Sequence, residues 1–324
     1  MLKSLTIESF RCFKNLQVDR LERVNLIVGG NNSGKTAFLE GIFLLLGWFP
    51  ARNQGEFPHL FRTAPRSGDR TEDFWKWLFY NKNVSQPVVL NGNDSVLGQI
   101  KMVICGAESM PSDFGAVTKW RTQMYQFWFG SSMPNAKQST PILTFSIHTQ
   151  SPEENAQAYD RLVLRAGAEE RIEELLKKVE PRLKKIRSLK PHGVPLLFVD
   201  IGLSEMVPIT QLGQGFSRLV DIYAGILASD AKVLLIDEVE NGIHYSNLSV
   251  MWEGIATICR EVDMQVFAST HSLECIRAAH AAFSRRENYD FALHRLQEVK
   301  GEYESISYDR QMLETSCETS LEIR

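Results

Sequence analysis

Short apolar runs of strand length recur along this chain, with helical patterns between them. Residues 24–28, 233–236 and 265–268 are largely apolar, which is typical of strands buried on both faces. Helical segments are predicted at 36–46, 216–228 and 248–260. Because strands and helices alternate, we predict an α/β fold whose mainly parallel sheet is covered by helices on both faces.

The first half of the chain carries weaker patterns. Residues 2–8 alternate between polar and apolar positions and predict a strand, with a second strand at 16–19. Glycine, proline, asparagine and serine recur between 50 and 150, which predicts a loop-rich antiparallel lobe with helix near 73–80. The strands predicted in this lobe are 88–90, 99–104, 125–129 and 142–147.

A charged segment at 153–189 has apolar residues at helical spacing, so we predict helix throughout it. Pro181 interrupts the pattern and either begins a second helix or kinks the first. Residues 196–199 then predict another strand within the same run of alternating strands and helices.

Composition narrows the class of protein. The 324 residues are 44% hydrophobic and 23% charged, as in an ordinary globular domain. A net charge of −3 gives no general attraction to nucleic acid or acidic membranes. The five scattered cysteines have no CxxC spacing and indicate reduced thiols in a cytoplasmic protein. The apolar run at 41–49 is far shorter than the about 20 residues of a membrane-spanning helix, so we expect no membrane contact.

One segment has the pattern G-x-x-x-x-G-K-[ST], between a predicted strand and a predicted helix. Its residues are Gly29, Gly30, Asn31, Asn32, Ser33, Gly34, Lys35 and Thr36. Glycines let successive backbone N–H groups turn inward and form an anion-binding nest, and the helix dipole adds to it. In this pattern Lys35 reaches the β- and γ-phosphates, and the Thr36 hydroxyl binds Mg²⁺. The segment predicts a nucleoside triphosphate site.

Two more predicted strands end in residues that suit phosphate chemistry. The strand at 233–236 is followed by Asp237, which fits a Mg²⁺ partner, and by Glu238, which fits the base that orients an attacking water. His271 follows the strand at 265–268, at the sheet edge where parallel α/β folds bind ligands. We predict that His271 senses the γ-phosphate. The guanine-reading motif N/T-K-x-D is absent, which favours ATP.

A second glycine-rich turn precedes the helical pattern at 216–228. It contains Gly213, Gln214 and Gly215. Two glycines before a helix N-terminus can form an anion site, but they are equally typical of a flexible helix start. Both interpretations stay open on this segment alone.

Taken in this order, the four elements resemble the ABC-type ATPase heads of the RecF, SMC and OLD group. Within that group the chain is most similar to stand-alone OLD-related AAA-type ATP-binding proteins. The residues that carry the resemblance are 7–13, 24–40, 212–227, 234–244 and 265–276. The resemblance implies a P-loop fold with ATP and Mg²⁺ as cofactors. It also implies a homodimer or higher homo-oligomer, in which the P-loop of one head faces the glycine signature of another.

The resemblance also assigns individual residues. It matches 213–215 to the signature, 240–244 to the D-loop, His271 to the switch histidine and Arg11 to an arginine near the nucleotide. Gly213 stands where the signature usually carries serine. No glutamine has the setting of a Q-loop residue, and Gln86 and Gln99 are the candidates.

We therefore predict one ATPase head built from consecutive parts. These are a P-loop half at 1–50, a β-rich lobe at about 51–150, a helical insertion at about 151–192, and a half with signature, Walker B and switch histidine at about 193–324. We expect no nuclease domain in this chain.

Three functions are compatible with such a head. The first is an ATP-driven switch coupled to a DNA-related or phage-defence effector. The basic run at 177–190 is the sequence feature that favours DNA, although nearby glutamates also make it typical of a solvated helix face. The alternative is an ATP-controlled scaffold or sensor that sequesters a toxin-like partner without contacting DNA. A small-molecule kinase fits less well, because Glu238, His271 and the glycine signature would each need a separate explanation.

Overall fold

The computed structural model describes residues 1–47, 76–106, 119–121, 125–129, 140–146 and 151–318. The strands are β1 (Leu2–Phe10), β2 (Phe13–Val18), β3 (Val24–Val28), β4 (Val88–Asp94), β5 (Gly98–Gly106), β6 (Lys119–Arg121), β7 (Tyr125–Phe129), β8 (Ile142–Phe145), β9 (Lys185–Leu189), β10 (Leu196–Asp200), β11 (Val207–Pro208), β12 (Val233–Ile236), β13 (Gln265–Thr270), β14 (Phe291–Val299) and β15 (Glu302–Tyr308). The helices are α1 (Lys35–Leu46), α2 (Pro152–Val163), α3 (Ala168–Lys177), α4 (Gln214–Ala228), α5 (Leu248–Glu261), α6 (Leu273–Ser284) and α7 (Arg310–Glu318).

A six-stranded, mostly parallel sheet forms the centre of the molecule. Its strand order is β15-β14-β3-β13-β12-β8, and the contacts of β3, β8, β12, β13 and β14 with one another are all parallel. The carboxyl ends of β3, β12 and β13 therefore meet at one edge. This edge receives the residues that follow each of these strands, which are the three predicted phosphate-binding segments.

Alternation along the buried strands gives the central sheet two apolar faces. Leu26 and Leu234 face one core, which receives residues from α2 to α6, whereas Ile27 and Leu235 face a second core around α1. Strands β3, β12 and β13 bury side chains on both faces, which explains their nearly continuous apolar sequences. The predicted α/β fold is confirmed.

An antiparallel sheet packs over α1 from the other side. Its order is β2-β1-β4-β5-β7-β6, so the first two strands join the lobe that the sequence predicts after residue 50. The predicted strand at 142–147 is misplaced in that lobe, because its described part forms β8, the parallel neighbour of β12. Part of the helix predicted near 73–80 lies outside the described residues, and a 3-10 turn follows it at Tyr80–Lys82.

The helix predicted throughout 153–189 is wrong in its second half. Helix α3 ends at Lys177, Pro181 lies in a turn, and β9 pairs antiparallel with β10. Ile186, read as one position of a helical stripe, is instead buried on the inner face of a strand. Strand β10 also pairs with β11 in a separate three-stranded sheet, so it lies outside the main sheet.

The carboxyl-terminal hairpin of β14 and β15 was not predicted. Strand β14 lies beside β3, and β15 pairs antiparallel with it. The fully buried His294 on β14 contacts Ser307 Oγ at 2.9 Å and Asn25 Oδ1 at 3.3 Å. Burial lowers the pKa of His294 to about 3. The Tyr303 hydroxyl on β15 donates to the carbonyl of Asn32 at 3.2 Å, so the hairpin supports the glycine-rich loop before α1.

Within the described part of the chain, no helix is both long enough and apolar enough to cross a bilayer.

Candidate active site

Two of the three predicted segments, the loop before α1 and the residues after β12, border one cleft of about 960 Å³ at the carboxyl edge of the central sheet. Residues 31–37 form one wall, and Asp237 and Glu238 form another. The remaining lining residues are Arg11, Cys12, Trp77, Phe79, Asn81 and Lys82. Sequence segments about two hundred residues apart thus meet as predicted.

The loop before α1 needs glycine at both ends. Gly29 has φ 151°, and a Cβ there would lie 2.5 Å from Ser33 Oγ and 2.6 Å from the carbonyl oxygen of Leu296. Gly34 has φ 92°, and a Cβ there would lie 2.6 Å from Phe13 Cζ. No side chain caps the N-terminus of α1, which leaves its dipole directed at the cleft. The loop therefore has the backbone of an anion nest.

Lys35 folds back across this loop. Its Nζ donates to the carbonyl oxygens of Gly29 at 2.9 Å and Gly30 at 2.8 Å. Burial lowers the pKa of Lys35, and the charges of Asp237 and Glu238 oppose that shift. An anion in the loop would compete with two neutral carbonyls for the ammonium, and a charge-assisted contact is the stronger one.

Asp237 lies at the centre of a hydrogen-bond network. Its carboxylate accepts from the Thr36 hydroxyl at 2.8 Å and from the Ser269 hydroxyl, while Ser269 Oγ also accepts from the Glu238 amide at 2.8 Å. Asp237 is only 2% exposed, so these bonds offset much of the cost of burying its charge.

The same oxygens fit a magnesium ion. Thr36 Oγ1 and Asp237 Oδ2 lie side by side next to the loop. Among the described residues, no cluster of three or more His, Cys, Asp or Glu side chains could form an all-protein metal cage. Mg²⁺ is usually held by one or two protein oxygens, with substrate phosphates and waters completing the octahedron, and this pair suits that arrangement.

Glu238 lines the cleft, and His271 lies beside Glu238 without being among the residues that line the cleft. Glu238 has φ 48°, a strained conformation for this residue type, and its side chain is one-third exposed. His271 Nδ1 lies 3.3 Å from Glu240 Oε1 and 4.0 Å from Glu238 Oε1. The His271 amide also donates to Glu240 Oε1 at 3.1 Å. Glu240 thus orients the histidine next to the carboxylate predicted to be the base.

Arg11 lines the cleft but is already engaged. Its Nε lies 2.9 Å from Glu40 Oε2, and its guanidinium also donates to the Trp77 carbonyl at 3.2 Å. Arg11 has φ 55° in the turn between β1 and β2. Its contacts in this structure join α1 to the segment that follows residue 75.

The glycine signature lies elsewhere. Gly213, Gln214 and Gly215 are not among the residues that line the described cleft. Gly213 and Gln214 are exposed, and a Cβ on Gly215 would lie 2.7 Å from the carbonyl oxygen of Gly242. The signature therefore touches the segment that the resemblance matches to a D-loop, and not its own P-loop. Gln86 and Gln99 are exposed and do not line this cleft either.

Two protein-family models match this chain. A family model described as "AAA domain" matches residues 4–203, which is more than half of the chain. The chain belongs to the AAA domain family. A second model, "AAA ATPase domain", matches residues 135–276. Membership of this ATPase family supports ATP binding and hydrolysis by this AAA domain.

Two curated relatives agree with this assignment. An "ATP/GTP phosphatase" of Helicobacter pylori (strain ATCC 700392 / 26695) is 24% identical over 322 residues, covering 85% of this chain and 86% of the relative. The "DNA replication and repair protein RecF" of Oenococcus oeni (strain ATCC BAA-331 / PSU-1) is 46% identical over 44 residues, covering 14% of this chain and 12% of RecF. The second match is local.

Solved structures show that the AAA domain has the fold of an SMC head. An SMC head bound to the C-winged helix domain of ScpA matches with a TM-score of 0.60 at 13% identity, covering 97% of this chain and 99% of that one. An SMC head domain with an extended coiled coil from Pyrococcus furiosus matches with 0.58 at 12% identity and 99% coverage of both chains. The SMC head domain from Thermotoga maritima matches with a TM-score of 0.55 at 14% identity, covering 95% of this chain and 99% of that one.

Several residues at the site were not singled out from the sequence. Ser269 and Glu240 lie inside quoted segments, but only the folded structure shows that they hold Asp237 and His271. Trp77 and Lys82 come from the lobe where the sequence pattern is weakest. Trp77 lies in an aromatic-rich run at 74–80, and neither that run nor Lys82 has a spacing that distinguishes an exposed residue at a site from a core residue.

Proposed function

We propose that this AAA domain is a Mg²⁺-dependent ATPase that works as a switch between ATP-bound and released states. The observation that carries the proposal is the Thr36–Asp237 contact at 2.8 Å beside the glycine loop, with Lys35 across the loop. A pair of oxygens that suits a cation, an anion nest and the Lys35 ammonium lie together at one cleft. This combination suits the β- and γ-phosphates of a nucleotide better than a simple anion.

Each residue then has a distinct role. The backbone of 29–34 and Lys35 bind the phosphates, and Thr36 and Asp237 hold the metal. Mg²⁺, when bound, supplies charge neutralisation on the phosphate oxygens. Glu238 orients a water molecule and takes its proton at a carboxylate oxygen, and His271 contacts the γ-phosphate side. Arg11 acts near the nucleotide through the segment that it holds.

The ATP-bound state is proposed to be a head-to-head homodimer, or a higher homo-oligomer with the same contact. The exposed turn at 213–215 begins α4 without any side-chain cap, so it presents backbone amides to the outside. In the resemblance stated above, such a turn faces the γ-phosphate of a second copy. The position of this turn outside its own cleft supports the proposal.

Replacing the base tests the ATPase proposal. Glu238→Gln should bind ATP like the parent but release phosphate about a hundredfold more slowly or worse, because a general base contributes at least that much. Glu205→Gln, an exposed glutamate outside the cleft, is the matched control and should keep the parental rate. Phosphate release without any added acceptor would also exclude a kinase. A Glu238→Gln variant as fast as the parent would contradict the assignment of the base.

We further propose that ATP turnover drives a partner protein, in a DNA-related or phage-defence setting or as a scaffold that sequesters a toxin-like protein. One observation favours the scaffold. Several basic residues expected to contact DNA are paired with glutamates. Lys185 Nζ lies 3.0 Å and Arg187 Nη1 lies 2.9 Å from Glu169 Oε1. Arg182 Nε lies 2.9 Å from Glu180 Oε1. Neutralised cations contribute little to phosphate binding.

A DNA-binding assay distinguishes the DNA-related role from the scaffold that sequesters a partner protein. If the head contacts DNA, duplex binding at low salt should be lost on charge reversal at Lys184, Lys185 and Arg187 and should fall steeply as salt rises. No binding at low salt would exclude direct contact and leave the scaffold. Co-purification of a specific partner that ATP releases would support the scaffold.

A further inference from the structure

Trp77 is an exposed aromatic residue in the wall of the cleft. Its side chain is 55% exposed, although burial of so large a ring is the usual outcome in a folded protein. Lys82 Nζ lies 3.6 Å from the centroid of the indole, within the range of a cation–π contact. Lys82 therefore lies over one face of the ring, and more than half of the side-chain surface stays exposed.

The position of Trp77 is tied to the phosphate-binding helix. The Arg11 guanidinium donates to the Trp77 carbonyl at 3.2 Å, and the Arg11 amide donates to the Leu78 carbonyl at 2.8 Å. Arg11 in turn contacts the buried Glu40 of α1 at 2.9 Å. The helix that begins at the P-loop and the exposed indole are therefore joined through one arginine. Such a link keeps the ring at a set place relative to bound phosphates.

The segment after Trp77 is shaped to place the lysine. Leu78 and Phe79 are buried, and Phe79 makes a β-bridge to Phe10, so the backbone is anchored directly beside the exposed ring. Asn81 and Lys82 then have φ 51° and φ 58°. Two successive left-handed residues, one of them lysine, cost free energy and persist only where the surrounding structure imposes them. The result of that strain is an ammonium held above the indole.

We propose that Trp77 is the platform on which the nucleotide base stacks, on the ring face opposite Lys82, while the triphosphate occupies the loop at 29–36. This inference rests on the proposed nucleotide site and adds the substrate class to it. Every base has a π-face, so stacking binds bases without reading their edges. The site then accepts ATP and GTP alike, in keeping with the "ATP/GTP phosphatase" that is 24% identical to this chain.

Steady-state kinetics with two nucleotides and one base-free inhibitor test this role. Trp77→Ala should raise KM about tenfold for both ATP and GTP, the size of one lost base–aromatic stack, with kcat near the parental value. Trp77→Phe, which keeps a π-face, should restore most of the affinity. Leu164→Ala removes another exposed apolar side chain, 86% exposed and outside the cleft lining, and should change nothing.

Inorganic tripolyphosphate isolates the phosphate end of the site. Its inhibition constant should be the same for the parent and Trp77→Ala, because it has no base to stack. Weaker inhibition in Trp77→Ala would show that the loop itself was disturbed and would overturn the stacking role. An unchanged KM in Trp77→Ala, or a rise for only one of the two nucleotides, would overturn it as well.

Lys82→Ala tests which face of the ring the base occupies. A KM that rises, but by less than in Trp77→Ala, supports the face opposite Lys82. A KM that falls would mean that the lysine occupies the base's place, which overturns the assignment. The nucleotide site itself is judged separately, since a parent protein that hydrolyses neither ATP nor GTP contradicts the proposed function whatever Trp77 does.

Discussion

Two glycine turns begin helices in this AAA domain, and their surroundings are opposite. Gly34 precedes α1 with φ 92°, and Gly213 precedes α4 with φ 90°; neither helix has a side-chain cap. A Cβ on Gly34 would lie 2.6 Å from Phe13 and 2.7 Å from Cys12, whereas a Cβ on Gly213 would meet nothing within 4 Å. The first turn is packed against side chains of the same chain, and the second faces open space.

Under the proposed dimer, the difference assigns one half of the site to each of two copies. The turn at Gly34 is followed by Lys35 and Thr36 and faces Asp237 across the cleft. The turn at Gly213 has a different backbone, with ψ 160° where Gly34 has ψ 10°, and it does not line the described cleft. We therefore treat the first turn as a phosphate site and the second as a cap that acts on another copy.

The largest effect is expected at the phosphate turn. Lys35→Ala should weaken ATP binding about a hundredfold, because charge-assisted contacts to the phosphates are lost. Calorimetric titration measures the affinity, and Lys178→Ala on an exposed end of α3 is the control. Gly213→Ala should bind ATP like the parent. If Gly213→Ala lost binding as strongly as Lys35→Ala, the two turns would belong to one site.

Alanine at each glycine compares the packing directly. Gly34→Ala should lower the free energy of unfolding by about 2–4 kcal/mol, because it adds a clash with Phe13 and Cys12 to the strain of a left-handed φ. Gly213→Ala adds no clash and should cost about 1–3 kcal/mol from backbone strain alone, because φ 90° with ψ 160° is a conformation nearly restricted to glycine. Urea unfolding of both variants measures the two costs. A larger cost at Gly213 than at Gly34 would contradict the view that the surroundings differ.

Lowering the pH should change the free energy of unfolding in opposite directions through two buried groups, His294 behind the phosphate loop and Asp221 on α4. His294, behind the P-loop strand, has its pKa lowered to about 3 by burial, so its contribution to stability is present above pH 6.5 and is lost as the pH falls below that value. Asp221 on α4 has its pKa raised to about 7 by burial, against the opposing effects of Arg218 and Asn155. Its contribution is lost as the pH rises from about 4 to 7.

Removing one of the two groups should leave the pH dependence of stability that the other group causes. Relative to the parent, His294→Gln should gain stability as the pH falls from 6.5 to 4, and Asp221→Asn should lose it, by up to about 1.4 kcal/mol per pH unit. Urea midpoints at several pH values measure both slopes. Parallel slopes in the two variants would show that one of the pKa directions is wrong.

The smallest effect is expected behind the phosphate loop. Tyr303→Phe removes the hydroxyl that donates to the Asn32 carbonyl, and it should lower stability by about 1 kcal/mol with a slight rise in KM. Tyr308→Phe, on the same strand, is a matched control. A large change in kcat would instead place Tyr303 in the chemistry.

The sequence predicted the parts of the fold that depend on local pattern. Residues 24–28 and 233–236 were placed with their observed bounds, because strands buried on both faces are apolar throughout. Residues 185–189 were misassigned, since Leu183 and Ile186 also match helical spacing and only the pairing of β9 with β10 decides between them. The hairpin of β14 and β15 was missed because its described positions mix charged and apolar residues.

For the site as well, the sequence predicts only what depends on local pattern. The phosphate loop has a sequence pattern because its backbone requires glycine at particular positions. Glu240, Ser269 and Trp77 act through contacts between distant segments, which no local spacing records. Arg11 was expected near the nucleotide, and the structure shows it bound to Glu40 at the wall of the cleft.

Mixing two inactive variants tests the division between the turns most directly. Lys35→Ala lacks the phosphate site, and Gly213→Asp places a negative charge on the turn proposed to cap a partner's γ-phosphate. If the turns act on different copies, a mixed dimer contains one intact pair, and phosphate release should recover to a level that neither variant reaches alone. If two folded variants remain inactive together, the proposal that the signature turn completes the site of a second chain is contradicted.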